Sequence, residues 1–546
     1  MTSSAPITCL TCRIRKKKCD KKQPECTACC KLGITCYSGS LRNSDEYDDL
    51  ANSIRAQIKH RAAERRHKGF KTPANQGLSG DSLSKDIDPS TDIMSGMSLE
   101  SETVDDINVD FEIIFLDYVF PFLFPFYHPS IFEGGRCWLP ATLKSSRPLF
   151  HSAMSLSSYF FALILNEGDD KQHDICKRQA WEEFLSHVDN ATRSVRVDMA
   201  DIGTSTSNVS IFEKTRLMAS IVQLLIFEMC MSRTMELDVH IEAAIALLSD
   251  ILEMYGTGDS GTSLYQVLAT MGKPGGMTVL SNTRVWNMDQ AAFRFFVAFL
   301  LYADIVSSTT IGNTPRLRKY HTSLIDCGSG SCTAHSSLQL ESFIGCQGWV
   351  LLLLGDAATL VSRRHEGEIS SLEMLIEGSQ IAHKLQEGIA NLNKCPTCSP
   401  KCAGFLHPYP NLKSVYPSVE SILHSQIWAH AASIYLFVSL SGWQPDHEAV
   451  REAVEATLCL LGRVSSPAML HNLAWPFCIA GCLASRRQEG AFRDIASRLG
   501  SLIAFGTFKD ALCLVEKVWQ MRGQMDIDDW DFTRCFRILD ARALLF

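Results

Sequence analysis

Six cysteines near the start of the chain repeat with a spacing suited to metal binding. They are Cys9, Cys12, Cys19, Cys26, Cys29 and Cys36. Each half of the set is a Cys-x2-Cys pair followed by one further cysteine. Such a pair places two thiolates on one zinc ion, which prefers four ligands in a tetrahedron. Two zinc ions would need eight zinc–sulfur bonds, so two of the six thiolates would have to bridge both ions.

Cations surround these cysteines. The segment between the second and third cysteines reads Arg13-Ile14-Arg15-Lys16-Lys17-Lys18, and Lys21 and Lys22 follow the third. Six thiolates around two divalent zinc ions leave a net charge of about −2, which Lys and Arg would offset. A segment of roughly 30 residues buries too little apolar surface to fold alone, so we expect metal binding to supply its folding free energy.

Other uses of closely spaced cysteines fit less well. A disulfide framework is typical of secreted chains, and no apolar signal sequence precedes Cys9. Iron–sulfur motifs use four thiolates at other spacings. We therefore expect zinc.

The segment from Cys9 to Cys36 resembles the binuclear Zn2Cys6 cluster of fungal transcription factors. The shared features are Arg13 directly after the second cysteine, the basic run, Asp20 after the third cysteine and Pro24 two residues before the fourth. The resemblance implies two zinc ions per chain, all six cysteines as ligands, and Cys9 and Cys26 as the bridging pair.

The resemblance also implies how the basic run meets DNA. In the family, a short helix at the first cysteine pair directs its end into the major groove over a CGG triplet. Arg15 and Lys16 fall where base contacts are expected, and Lys16 is favoured because lysine donors suit the O6 and N7 acceptors of guanine. The remaining cations, expected at phosphates, are Arg13, Lys17, Lys18, Lys21 and Lys22. Alone, the run would favour a solvated charged surface or a nuclear-import signal over DNA contact, but within this cysteine frame DNA contact is favoured.

Charge divides the chain into a basic head and an acidic body. Residues 1–71 contain 16 Lys and Arg against seven Asp and Glu, a net charge of +9. The whole chain carries −8, so the remaining residues carry −17. This asymmetry is typical of a nucleic-acid-binding module attached to a regulatory body.

We predict four regions. Residues 1–40 form a Zn2Cys6 DNA-binding domain, 41–71 a basic helix, 72–108 an acidic flexible linker and 109–546 a helical regulatory domain. The helix, expected over 44–68, would either dimerise as a coiled coil or pack without dimerising, and both alternatives stay open. The linker alternates acidic and apolar residues, as activation segments do, but a solvated tether has the same composition.

The fold class predicted for the body is all-α. Helical periodicity recurs near residues 146–165, 211–232, 289–306, 340–364, 369–391, 447–462 and 508–522. Two uncharged stretches, Ser421–Pro445 and Val464–Ser485, contain histidines and serines or prolines, and we interpret them as buried helices rather than membrane spans. The aromatic segment Phe115–Tyr127 resembles the opening of the fungal-specific transcription factor domain, which implies a helical regulatory function.

Enzyme motifs are weak in so large a body. Gly256–Gly261 fits a dinucleotide-loop pattern, but a helical segment precedes it where a strand is required. Cys395, Cys398 and Cys402, with His407 nearby, could hold a further zinc ion or form an ordinary loop. The pair Cys327 and Cys332 is a weaker candidate. We predict that the chain is not an enzyme.

These observations favour a nuclear transcription factor that binds double-stranded DNA at CGG-like half-sites. Activation is favoured over repression, and secondary-metabolite or small-molecule response genes are the expected targets. A homodimer, a small-molecule effector and the transcription machinery are candidate partners, and no membrane is expected. Two other hypotheses are an enzymatic or metabolite-binding body with a zinc-dependent targeting head, and binding of RNA or single strands.

Overall fold

A computed structural model describes residues 9–14, 18–22, 26–30, 36, 111–129, 134–165, 174–204, 209–231, 237–258, 261–272, 286–325, 338–394, 418–524, 530–538 and 545 of the chain. The chain divides into two compact units, Met1–Gly96 and Met97–Phe546. The predicted helix at 44–68, the linker at 72–108 and the cysteines at 327, 332, 395, 398 and 402 lie outside the described residues.

In its described residues, the first unit contains two short helices, one for each cysteine pair. Helix α1 spans Leu10–Ile14 and helix α2 spans Thr27–Cys30. In the described part of this unit, the buried residues are four cysteines together with Leu10 and Thr11. So small an interior cannot stabilise a fold by apolar burial.

The second unit is a large helical body. A π-helical turn, Phe115–Val119, leads into α3 (Phe120–Leu123). The helices that follow are α4 (Trp138–Ser145), α5 (Arg147–Ile164), α6 (Asp174–Thr204), α7 (Ile211–Cys230), α8 (Leu237–Tyr255), α9 (Leu264–Thr270), α10 (Met288–Ile311), α11 (Arg318–Leu324), α12 (Glu341–Ile344), α13 (Gly348–His365), α14 (Ser371–Lys394), α15 (Val419–Ser441), α16 (Glu448–Arg463), α17 (Pro467–His471), α18 (Ala474–Cys482), α19 (Glu489–Ser497), α20 (Phe508–Met521) and α21 (Phe532–Arg537).

Extended structure in the described residues is slight. Strand β1 (Thr257–Gly258) pairs antiparallel with β2 (Gly261–Thr262), and Ile325 and Leu338 form one isolated bridge. The all-α prediction is confirmed. Helix α8, not a strand, leads into the glycine-rich loop at 256–261, so the described residues lack the strand–loop–helix order that dinucleotide binding requires.

Capping residues determine where the long core helices begin. Ser210 and Glu213 form a capping box at the start of α7, and Asn287 and Gln290 form another at the start of α10. Each box satisfies backbone N–H groups that have no partner within the helix. Helix α10 ends at Gly312, whose positive φ of 81° ends the helix without strain.

Large aromatic side chains fill the centre of the body. The rings of Trp428 and Trp475 stack with centroids 5.2 Å apart and planes 4° apart. The indole N–H of Trp475 donates to the Thr309 hydroxyl at 2.8 Å, so its polar atom is satisfied within the core. Helices α10, α15 and α18 are therefore joined by packing and by a buried hydrogen bond.

The uncharged stretches are interior helices, as predicted. Ser421–Pro445 corresponds mainly to α15, and Val464–Ser485 contains α17 and α18, in which every residue from Ala474 to Cys482 is buried. By length and composition alone, α10 could cross a membrane. Its apolar window is 94% buried inside the body, as expected for a core helix.

One predicted helix is interrupted. The periodicity near 340–364 predicted a single helix, whereas the structure has α12, a break at Gly345 and then α13. Gly345 has a φ of +85°, and a Cβ atom there would lie 2.3 Å from the ring of Phe126. Gly345 therefore ends α12 as a left-handed C-cap, and the close approach of Phe126 leaves no room for a side chain at that position.

Candidate metal centre and nucleic-acid interface

The cysteine sulfurs of the first unit lie at spacings that suit a shared metal site. The Sγ atom of Cys9 lies 3.8 Å from that of Cys26, 3.9 Å from that of Cys29 and 3.8 Å from that of Cys19. A zinc ion 2.3 Å from each of four tetrahedral sulfurs separates them by about 3.8 Å. The spacing therefore fits zinc–thiolate coordination.

The sulfurs divide into two groups of four. One group is Cys9, Cys12, Cys19 and Cys26, and the other is Cys9, Cys26, Cys29 and Cys36, with the ligand atoms of each group within 4.8 Å of one another. Cys9 and Cys26 belong to both groups. This division would supply the eight bonds that two tetrahedral zinc ions need, and Cys9 and Cys26 would then bridge the ions.

Backbone N–H groups point at the sulfurs in the same way in both halves. The N–H of Cys12 donates to Sγ of Cys9 at 3.3 Å, and the N–H of Cys29 donates to Sγ of Cys26 at 3.4 Å. The N–H of Lys21 donates to Sγ of Cys19 at 3.4 Å. Such hydrogen bonds stabilise thiolate charge and orient metal ligands, so the loops suit ionised rather than neutral sulfurs.

Burial opposes ionisation unless a cation is present. It raises the pKa of Cys9, Cys12 and Cys29, because a thiolate loses its hydration in the interior. Burial also raises the pKa of Cys26, but hydrogen bonds from the Cys29 backbone and from neighbouring thiols outweigh it and lower the pKa to about 6. Zinc would replace the thiol protons of Cys9, Cys12 and Cys29 and offset the cost of removing these thiolates from water.

A side-chain contact joins the two halves. The carboxylate of Asp20 accepts hydrogen bonds from the backbone N–H of Thr27 at 3.0 Å and from the Thr27 hydroxyl. These bonds lower the pKa of Asp20, the hydroxyl having the largest effect. Asp20 thus links the loop after α1 to the start of α2. The sequence analysis treated Asp20 only as a feature shared with the family and did not identify Thr27. Threonine is common at the start of a helix, and this preference is the signal that could have identified Thr27.

The described cations lie at the surface. Arg13, Lys18, Lys21 and Lys22 are exposed, as phosphate-contacting residues must be. Lys21 has a φ of 57°, the left-handed conformation that aims its N–H at Cys19. Arg15, Lys16 and Lys17 lie outside the described residues, so the expected base contacts stay predictions.

Two protein-family models match the chain, and between them they cover most of its length. The model described as "Fungal Zn(2)-Cys(6) binuclear cluster domain" matches residues 7–44. The model described as "Fungal specific transcription factor domain" matches residues 113–546. No solved structure matches the chain.

Several similar proteins carry names that refer to transcription. "Transcription factor dibT" of Pestalotiopsis microspora is 33% identical over 98% of each chain. "Pestheic acid cluster transcriptional regulator 3" of Pestalotiopsis fici is 26% identical over 94% of each chain. "Trichothecene biosynthesis transcription regulator TRI10" of Trichoderma arundinaceum is 26% identical over 75% of this chain and 91% of its own.

Proposed function

This chain belongs to the fungal transcription factors that join a Zn(2)-Cys(6) binuclear cluster domain to a fungal-specific transcription factor domain, and we propose that it activates a secondary-metabolite gene cluster by binding CGG-type half-sites in duplex DNA. A cluster domain of this family binds two zinc ions. The family and the similar proteins are transcription regulators, not enzymes.

The observation that carries the proposal is the pair of four-sulfur groups that share Cys9 and Cys26. We assign the six cysteines as the zinc ligands, since two zinc ions on this frame would fix both short helices and the loop between them. The exposed cations Arg13, Lys18, Lys21 and Lys22 would then contact phosphates. Lys16, with Arg15, reads guanine in the major groove.

Secondary-metabolite control is supported by the names of two relatives. One is called a regulator of the pestheic acid cluster and another a regulator of trichothecene biosynthesis. We propose the same class of target for this chain, a nuclear location, and a regulatory role for the helical body. The basic head and the acidic remainder of the chain fit a division between DNA binding and regulation.

Selection of duplexes from a random pool by the full-length, zinc-loaded protein tests DNA recognition. We expect enrichment of CGG triplets, and the number and spacing of the triplets will report whether a monomer or a dimer binds. Equal retention of all duplexes, or preference for single strands or RNA, would contradict the proposal.

Two single substitutions distinguish a residue that contacts bases from a residue that contacts phosphates. Lys16→Ala should remove the preference for CGG, at a cost of about 1–3 kcal/mol on the selected duplex. Lys22→Ala should weaken binding to all duplexes alike. It should also reduce the slope of log affinity against log salt concentration by about one, the contribution of one phosphate contact. Gel-shift titrations at several salt concentrations measure both, with the zinc content of each variant as the control. An unchanged sequence preference in Lys16→Ala would refute its assignment to bases.

A reporter gene under the selected binding sites decides between activation and repression. We expect reporter output to rise when the protein is induced. Falling output would reverse the assignment to repression while leaving DNA recognition intact. Unchanged output with normal DNA binding would mean that the body needs a further signal.

A further inference from the structure

The loop that carries Lys21 and Lys22 is closed at its base by two hydrogen bonds. The carboxylate of Asp20 accepts one from the backbone N–H of Thr27 at 3.0 Å and another from the Thr27 hydroxyl. Asp20 and Thr27 are seven residues apart in the chain, so the bonds close a short loop. The two cations within this loop, Lys21 and Lys22, are both exposed. The contact therefore restrains the segment that carries two of the cations assigned to phosphates.

The same loop would be closed a second time by the proposed zinc ligands. Cys19 directly precedes Asp20, and Cys26 directly precedes Thr27. The sulfurs of Cys19 and Cys26 belong to one of the two four-sulfur groups. A shared zinc ion would fix the distance between these two sulfurs, but rotation about the cysteine side chains would still let the loop tilt. The hydrogen bond from the Thr27 backbone acts on the main chain itself, so it opposes that tilt.

Attraction to DNA does not explain the carboxylate of Asp20. The side chain is exposed and lies next in the chain to two lysines assigned to phosphates, where a negative charge repels the DNA backbone. Preorganisation offers a physical reason for its presence. Binding a phosphate costs the conformational entropy of the loop and of the lysine side chain, and a loop that is already closed has less entropy to lose.

We propose that Asp20 and Thr27 are positioning residues for DNA binding, whose contact holds the loop in the orientation that presents Lys21 and Lys22 to phosphates. This proposal rests on the proposed function, since it concerns a head that binds duplex DNA. Because the two residues act on phosphate contacts, their substitution should lower the affinity for every duplex and leave the preference for CGG unchanged. The competing interpretation is that the contact only helps the cysteine cluster to fold, in which case zinc would be lost together with affinity.

Duplex binding by full-length, zinc-loaded variants of Thr27 tests the proposal. Thr27→Val removes the hydroxyl donor while keeping the charge and the branched shape of the side chain, and Thr27→Ser is the matched control because it keeps the hydroxyl. On a duplex that carries the selected CGG sites, Thr27→Val should bind about three- to tenfold more weakly than the wild type, and Thr27→Ser should bind like the wild type. Fluorescence anisotropy at fixed salt measures the affinity, and the zinc content of both variants should stay at two ions per chain.

Substitutions of Asp20 separate its position from its charge. Asp20→Ala removes the contact and the negative charge together, so a purely electrostatic role predicts tighter duplex binding, whereas the positioning role predicts weaker binding. Asp20→Asn also removes the charge but keeps an oxygen that can accept from the Thr27 backbone, so it should restore most of the affinity lost in Asp20→Ala. Binding of Asp20→Ala that equals or exceeds that of the wild type, with zinc retained, overturns the proposal. If Asp20→Ala loses zinc, the comparison of Thr27→Val with Thr27→Ser decides.

A double substitution tests whether the contact acts through the lysines of the loop. Lys22→Ala removes one of the cations that the loop presents, so Thr27→Val should weaken binding by a smaller factor in that background than in the wild type. Equal factors in the two backgrounds would refute the positioning role. The wild type reports on the proposed function separately. If it enriches CGG duplexes while the Asp20 and Thr27 variants bind as it does, the positioning role fails and the proposed function stands.

Discussion

At the scale of single residues, the shared positions of Cys9 and Cys26 distinguish them from the other cysteines. Replacing Cys9 leaves three sulfurs in each group, whereas replacing Cys19 leaves the group of Cys9, Cys26, Cys29 and Cys36 complete. We therefore expect Cys9→Ser to lose both zinc ions and Cys19→Ser to keep about one per chain. Zinc content of the purified full-length variants, measured by plasma mass spectrometry, tests this. Equal zinc loss in the two variants would contradict the bridging assignment.

The buried carboxyl group of Asp304 should make the stability of the helical body depend on pH. Its carboxylate is fully buried and accepts hydrogen bonds from the backbone N–H groups of Arg316 at 3.1 Å and Leu317 at 2.8 Å. Burial outweighs these bonds and raises the pKa to about 6. Because the folded pKa is above the unfolded one, the stability from Asp304 is present at low pH and is lost as pH rises through 6.

The measurement is the free energy of unfolding of the wild type and of Asp304→Asn from pH 5 to pH 7. The wild type should lose on the order of 1 kcal/mol relative to the variant over this range. Buried histidines such as His321 and His424, whose pKa values burial lowers, titrate with the opposite sign in both proteins and cancel in the difference. A difference that grows in favour of the wild type with pH would show that Asp304 is stabilised as a carboxylate.

Residue types and spacing predicted a metal site at the cysteines but not the contacts between distant segments of the body. The cysteines lie close together in the chain, so their spacing alone indicates a shared metal site, whereas the choice of Cys9 and Cys26 as the bridging pair came from the family resemblance. Gly345 lies against the ring of Phe126, and His471 lies against the ring of Phe122, although each pair is separated by more than 200 residues in the chain. No local pattern encodes such a meeting, and His471 had no sequence signal beyond its place in an uncharged stretch.

At the scale of helices, two glycines with opposite surroundings show how closely the helices pack. A Cβ atom at Gly388 in α14 would lie 2.3 Å from the ring of Trp349 in α13, whereas one at Gly462 in α16 would meet nothing within 4 Å. Gly388→Ala should therefore destabilise the body by about 1–3 kcal/mol. Gly462→Ala should stabilise it by about 0.5–1 kcal/mol, because alanine is the better helix former.

Urea unfolding monitored by far-ultraviolet circular dichroism measures both glycine variants, each serving as the other's control. Tryptophan fluorescence should also change in Gly388→Ala, since Trp349 must move. Equal changes in the free energy of unfolding for the two substitutions would mean that α13 and α14 can move apart at little cost. Such a result would contradict the close packing between these helices.

Helical periodicity predicted most of the long helices, because apolar positions on one face must be buried whatever they pack against. The windows at 146–165, 211–232 and 508–522 agree with α5, α7 and α20 to within a few residues. The break at Gly345 was not predicted, since the periodicity continues across it. Gly345 itself is a helix-stop signal, and the contact with Phe126 shows why no side chain fits at that position.

At the scale of the whole molecule, the two units depend on different sources of stability. The body buries a large apolar core that includes Trp138, Trp428 and Trp475, whereas the described interior of the first unit is mostly cysteine. The body should therefore fold without metal, and the head should not. This difference predicts that chelation acts on one unit alone.

Thorough chelation of the full-length protein should abolish duplex binding and expose the head to proteolysis, while the thermal transition of the body stays unchanged. Differential scanning calorimetry with and without chelator measures that transition, and cadmium or zinc added back should restore DNA binding. The zinc content before treatment should be two ions per chain, because two four-sulfur groups account for the whole site.

A third zinc ion, together with a lower thermal transition temperature of the body after chelation, would instead assign metal to Cys395, Cys398 and Cys402. Substituting Cys398 by serine would then remove that ion and leave duplex binding intact, which separates a structural zinc in the body from the pair that organises the DNA-binding head.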